Sequence, residues 1–172
     1  MIAHVFKKKF QNKFNEDIEL FKLLDSNKKI FSSYIIYQLL NFSREFKMES
    51  SKEYWKIDCI YYTKDKLFEK FANGVWLKRI NVLIENENKI SEAHLEINKL
   101  LHWNSDLKVI ITYYNKESGL EKYLTFWCSI ISEMQKLKAH KTENLLIILG
   151  NKIEKKFDKF LIWDNKNSLI EI

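Results

Sequence analysis

Val82-Leu83-Ile84-Glu85-Asn86-Glu87-Asn88-Lys89 is where this chain changes character. It begins as an apolar run suited to the inside of a sheet, then turns polar. Two carboxylates stand two residues apart, with a lysine two further on. Alternate residues of a strand share a face, so Glu85 and Glu87 project side by side where the strand leaves the core. Two like charges held together are unfavourable unless a cation or a shared proton compensates. The stretch is a candidate metal site at the end of a buried strand.

The strand itself is expected to run from Val75 to Glu85, alternating early and continuously apolar later. A strand apolar at successive positions is covered on both faces, as in the centre of an α/β sheet. Upstream, Tyr54 to Tyr62 is rich in aromatic and β-branched residues and reads as a preceding strand, with Asp58 set among apolar neighbours. Met48 to Glu53 reads as a polar connector, Lys64 to Ala72 as a short helix, and Asn73-Gly74 as a turn.

Downstream, Ser91 is placed to cap a helix that turns Ile90, Ile97, Leu100 and Leu101 inward, with Glu92, Glu96 and Lys99 on its surface. Asn104-Ser105-Asp106 ends it, and Leu107 to Tyr113 reads as a third strand. One short helix between two strands makes a parallel βαβ pair. Gly119 opens a long helix that presents Leu120, Tyr123, Leu124, Trp127, Ile131, Met134 and Leu137 to the sheet. Leu145–Leu149 and Phe160–Trp163 read as the last strands, with Gly150-Asn151 turning between them.

Ahead of these strands, Phe10, Phe14, Ile18, Phe21 and Leu24 repeat at helical spacing. Asp25-Ser26-Asn27 breaks that helix and caps a second, traced by Phe31, Tyr34, Ile35, Gln38, Phe42 and Phe46 to about Lys47. No repeat or low-complexity segment interrupts the pattern, so residues 1–172 read as a single α/β domain.

Composition narrows the function classes. At 172 residues with 46% hydrophobic side chains, the chain can build a substantial core. The net charge of +6 and pI of about 9.1 favour an anionic partner such as nucleic acid. Two cysteines without CxxC spacing, Cys59 and Cys128, argue against a disulfide scaffold or a zinc site. Apolar runs fall short of the roughly 18 residues that cross a bilayer. The start of the chain carries its Lys7-Lys8-Lys9 charge after the apolar residues, unlike a signal peptide. A cytoplasmic protein without a membrane partner is the expectation. Walker and GxGxxG motifs are absent, and His4, His94, His102 and His140 lack ligand spacing.

Asp58, followed on the next strand by Ile84-Glu85-Asn86-Glu87-Asn88, resembles the active-site pattern of the PD-(D/E)XK nuclease superfamily, the restriction-endonuclease-like fold. The resemblance implies an αβββαβ core over about residues 28 to 114, with a mixed central sheet flanked by helices. The N-terminal helix and the C-terminal helix and strands would be additions. It also implies Mg²⁺ or Mn²⁺ bound by Asp58, Glu85 and Glu87, and hydrolysis of phosphodiester bonds, DNA before RNA, in restriction or defence. Hard divalent ions take oxygen ligands, which these carboxylates would supply.

The chain departs from that pattern in two places. Ile57 stands where proline precedes the aspartate, and the lysine position reads in two ways. With Glu85 as the primary acid, Glu87 replaces the lysine, and Lys89 becomes a phosphate contact. With Glu87 as the primary acid, Glu87-Asn88-Lys89 restores the triplet, and Lys89 is catalytic. Glu85 is favoured because it directly follows the buried run. On the helix after the motif, Glu96 and Lys99 stand where relatives place a further polar residue facing the metal. Glu16, Glu19 and Glu45 are candidates for an assisting acid from an N-terminal helix.

Basic groups that would track phosphates fall at Lys7-Lys8-Lys9, Lys64/Lys66/Lys70, Lys78-Arg79, Lys136/Lys138/Lys141 and Lys152/Lys155/Lys156/Lys159, with Trp76 and Trp103 as stacking candidates. A homodimer would suit cutting both strands of a duplex. The alternative to a nuclease is a non-catalytic nucleic-acid-binding or assembly module on the same fold, with a protein–protein interaction domain as a third reading.

Overall fold

The computed structural model describes residues 2–15, 17–64, 77–137, 142, 144–164 and 167–172. Its elements run α1 (Ile2–Phe14), α2 (Ile18–Ser26), α3 (Lys28–Phe42), a 3-10 turn (Ser43–Phe46), β1 (Glu49–Tyr54), β2 (Ile57–Lys64) and β3 (Leu77–Glu87). They continue as α4 (Ala93–Leu101), β4 (Leu107–Tyr114), α5 (Leu120–Lys136), β5 (Leu145–Asn151), β6 (Lys156–Trp163) and β7 (Leu169–Glu171). The strands form one mixed sheet whose order is the chain order, β1 to β7. β3, β4 and β5 are parallel, and the pairs outside them are antiparallel.

Helices cover both faces of this sheet. On one, Phe6, Phe10, Phe14, Phe31 and Phe42 from α1 and α3 pack with Ile84, Val109 and Ile148. On the other, Ile97 and Leu100 of α4 and Trp127 and Ile131 of α5 pack with Leu83, Ile110 and Ile147. Successive residues of β3, β4 and β5 therefore enter opposite cores, which is why these strands are continuously apolar. Each fully buried side chain of this kind contributes about 1.5–3 kcal/mol. Among the described residues no helix is long and apolar enough to cross a membrane.

Several elements differ from the sequence reading. The polar connector Met48–Glu53 and the strand Tyr54–Tyr62 are instead a hairpin of β1 and β2, with Tyr54 paired to Ile57. Trp55 and Lys56 turn the chain with φ of 51° and 64°, the conformation that suits a two-residue hairpin loop. β1 lacks an apolar pattern because it is an edge strand with no fully buried residue. The expected first helix is two helices, α1 and α2. Asp17 divides them, its carboxylate accepting from Leu20 N at 3.2 Å and from the Tyr34 hydroxyl at 2.9 Å. Asn27 caps α3 as expected, accepting from Lys29 N and Ile30 N at 3.1 Å.

Ser91 does not cap α4. Glu92 holds that position without a side-chain hydrogen bond. Leu137 is exposed past the end of α5. Gly150 and Asn151 belong to β5, and the following turn is held by Asn151 Oδ1, which accepts from Ile153 N and Glu154 N. β7 is an additional edge strand. The expected helix at Lys64–Ala72 beyond Lys64, the turn at Asn73-Gly74, and Glu16, Lys66, Lys70, Val75, Trp76, Lys138, His140 and Lys141 lie outside the described residues.

Candidate functional site

β2 and β3 pair antiparallel with Cys59 opposite Ile84 and Ile60 opposite Leu83. Carried one residue further, the same register sets Asp58 beside Glu85. Cys59 and Ile84 enter the core under α1–α3, so by alternation Asp58 and Glu85 face the α4 layer. The Asp58 carboxylate accepts from Asn86 N at 2.9 Å, which fixes it against the end of β3. Asp58 is half-buried, whereas Glu85 is 2% exposed.

A buried carboxylate needs positive charge near it, and α4 provides it. Lys99 Nζ lies 2.6 Å from Glu85 Oε1, also contacts Glu96, and donates to Lys56 O at 3.0 Å. Burial nevertheless raises the Glu85 pKa to about 8, assisted by the adjacent Asp58 charge. Lys99 pulls it back down, and Glu96 adds a smaller upward push. Burial works against the Lys99 ammonium, but its contacts with Glu85 and Glu96 outweigh this and hold its pKa above the ordinary lysine value.

Glu87 projects on the same face one step further out. Its Oε1 accepts from Lys89 N at 2.8 Å. Partial burial raises its pKa, the Lys89 amide opposes that, and the charges of Glu92 and Glu96 add to it. Lys89 is exposed, and its ammonium pairs with Glu92 at 2.6 Å, a contact that raises its pKa. The structure therefore brings Asp58, Glu85, Glu96 and Lys99 together, keeps Glu87 at their margin, and leaves Lys89 occupied by Glu92.

The opposite face of the β3 end is held from behind. Tyr113 donates to Asn86 Oδ1 at 2.8 Å, Asn86 Nδ2 to Asn88 Oδ1 at 3.3 Å, and Asn88 Nδ2 to Ser32 Oγ of α3 at 2.9 Å. Of the other sequence candidates, Glu19 pairs with Lys22 and Glu45 with Lys9, both exposed. His94 Nδ1 sits 2.9 Å from Ser91 O, with its ring against Phe126.

Among the described residues no three His, Cys, Asp or Glu side chains converge closely enough to enclose an ion. Mg²⁺ does not require such a cage. It commonly takes one or two carboxylates and fills its octahedron with water and substrate phosphate. Asp58 and Glu85 supply hard oxygen donors on neighbouring strands, one half-buried and one almost wholly buried. The donor set fits a two-carboxylate Mg²⁺ or Mn²⁺ site.

The role of Lys99 was only partly visible in the sequence. Glu96 and Lys99 at a three-residue spacing read equally as a surface pair, and only the packing of α4 on β3 turns Lys99 toward Glu85. The chain matches no protein-family model, no curated protein and no solved structure.

Proposed function

We propose that this chain is a metal-dependent nuclease of the restriction-endonuclease-like class, hydrolysing phosphodiester bonds of nucleic acid, DNA before RNA. The observation that carries the reading is the Asp58–Glu85 carboxylate pair on neighbouring strands with the Lys99 ammonium against it. The order α3, β1–β2–β3, α4, β4 supports an αβββαβ core, and the net charge of +6 suits a polyanionic substrate.

In this reading Asp58 and Glu85 would hold Mg²⁺ or Mn²⁺, and Glu87 would orient the hydrolytic water. The chemistry the ion supplies when bound is a lowered pKa for coordinated water and neutralisation of charge on the phosphodiester. Lys99 provides from α4 the ammonium that the strand lacks at position 87. Its place beside Glu85 lets it stabilise negative charge developing on the phosphate. Lys89, bound to Glu92 at the surface, serves as a phosphate contact rather than a catalytic group.

Incubation of purified protein with supercoiled and linear DNA and with RNA, with Mg²⁺, Mn²⁺ or EDTA, tests the reading. Metal-dependent cleavage abolished in Glu85→Ala supports it. Absence of cleavage, or a Glu85→Ala variant as active as the wild type, overturns it. The Lys99 contact also favours a second reading, because an ammonium already compensates Glu85. A nucleic-acid-binding module without cleavage would then bind in a salt-sensitive way, indifferent to divalent metal.

A further inference from the structure

A cavity of about 440 Å³ opens at the carboxyl ends of β3, β4 and β5, a few residues beyond the carboxylates. Five lysines line it, Lys28, Lys89, Lys116, Lys122 and Lys152, and among the described residues no aspartate or glutamate does. Like charges gathered around one space repel unless an anion enters it. Lys89 is partly neutralised by Glu92, and Lys152 reaches Asn88 O at 3.5 Å. Lys28 and Lys116 have no carboxylate partner among the described residues. The one acid beside them in sequence, Glu117, is drawn away to Lys159 at 2.9 Å.

The rest of the lining narrows the anion. Each lysine ammonium is a compact point charge with three donors, which can bind a phosphate from several directions. A bare phosphate would leave much of this volume unfilled, and the volume falls in the range of small-molecule sites. Tyr123, Ile90 and Leu120 offer apolar surface, and Asn115 offers an amide that can pair with a base edge. The helix α5 also begins here, at Gly119, without a side-chain cap, so its positive dipole end points into the same region.

We propose that this cavity is a nucleotide site: Lys28, Lys116 and Lys122 hold the phosphate, and the Tyr123 side seats the base. It uses none of Asp58, Glu85, Glu96 or Lys99, so it goes beyond the nuclease reading and stands whether or not the protein cleaves. The nucleotide is either free or the terminal residue of a strand, and the experiment separates these.

The test is calorimetric titration of the full chain in EDTA, which removes metal-dependent cleavage from the readout. The probes are a nucleoside 5′-monophosphate, the matching nucleoside, and one oligonucleotide with a 5′-phosphate or a 5′-hydroxyl. Binding of the monophosphate but not the nucleoside is expected, weakened about tenfold or more in Lys28→Ala/Lys116→Ala. Both residues are exposed and have no ion-pair partner among the described residues, so folding is retained, and a thermal melt checks this. Preference for the 5′-phosphorylated oligonucleotide, lost in the same variant, supports the site with a strand end as its source. Monophosphate binding with no such preference supports it with a free nucleotide. No detectable monophosphate binding at low salt, equal binding of nucleoside and monophosphate, or an unaffected double variant overturns the proposal.

Discussion

The Lys99 ammonium and the Glu85 carboxylate meet at 2.6 Å across the packing of α4 on β3, with Glu85 almost wholly buried. Attraction in such a place is offset by desolvation of both groups. The consequence is that Glu85 stays electrostatically unsettled, with its pKa raised to about 8.

That pKa carries a pH signature. Between the ordinary glutamate value and about 8, the folded chain holds a proton at Glu85 that the unfolded chain has released. Stability therefore falls as pH rises through this window and levels off above it. Glu85→Gln removes the slope. Thermal melts from pH 5 to 9 should show wild type and variant equal near pH 5, and the variant higher by several degrees at pH 9, at about 2–4 °C per kcal/mol for a chain of this size. Parallel curves would show that Glu85 titrates normally.

Divalent metal should act against the same proton. Mg²⁺ or Mn²⁺ held by Asp58 and Glu85 favours the ionised carboxylate, so the metal-induced rise in Tm should be larger at pH 8.5 than at pH 6. Asp58→Asn and Glu85→Gln should each abolish it. An equal rise in both variants would place the metal elsewhere.

Removing Lys99 should harm folding and activity in separable ways. Lys99→Met leaves Glu85 and Glu96 facing each other without an ammonium, at a cost of about 1–3 kcal/mol above pH 8. The cost shrinks at pH 5, where a protonated Glu85 needs no partner. The nuclease reading adds a loss of about 10²-fold or more in cleavage rate, read at a temperature where the variant is folded. Full activity in a folded Lys99→Met protein would exclude the role given to Lys99.

Gly150 offers a purely steric test. A Cβ added there would stand 2.6 Å from the Tyr113 ring, itself packed edge-on against Phe31 and tilted against Phe157. Gly150→Ala should cost about 1–3 kcal/mol by overpacking. It should also disturb the Tyr113 hydroxyl that holds Asn86 at the site. Denaturant unfolding measures the first effect. Nucleic-acid cleavage or metal binding at a temperature well below the melt measures the second.

What the sequence disclosed, and what it hid, follows from the range of each interaction. The buried runs Val82–Ile84, Val109–Ile111 and Leu145–Leu149 announced central strands because each residue there is covered on both sides. The Asn27 cap was visible because its effect is confined to three residues. β1 was hidden because an edge strand needs no apolar pattern, and the Trp55–Lys56 turn lacks the Asn-Gly signal of hairpins. At the site, the spacing of Asp58 and Glu85 on successive strands was readable. Their cross-strand register, the approach of Lys99 and the lysine-lined cavity were not, because each depends on how separate elements pack.

The strand order has a kinetic meaning. A sheet laid down in the sequence of its own chain never requires a strand to be inserted between two that are already joined. Each new strand finds its only earlier neighbour already made, and its loop closure spans no more than one intervening helix or segment. Short closures of this kind favour fast folding and let the sheet grow during synthesis. The exception is α1, whose Phe10 stacks edge-on against Phe157 of β6 and whose Lys7 donates to the carbonyl of Ile172. Its Phe6, Phe10 and Phe14 also pack on Phe42 of α3, so α1 has a nearby partner early and completes its packing only when β6 is in place.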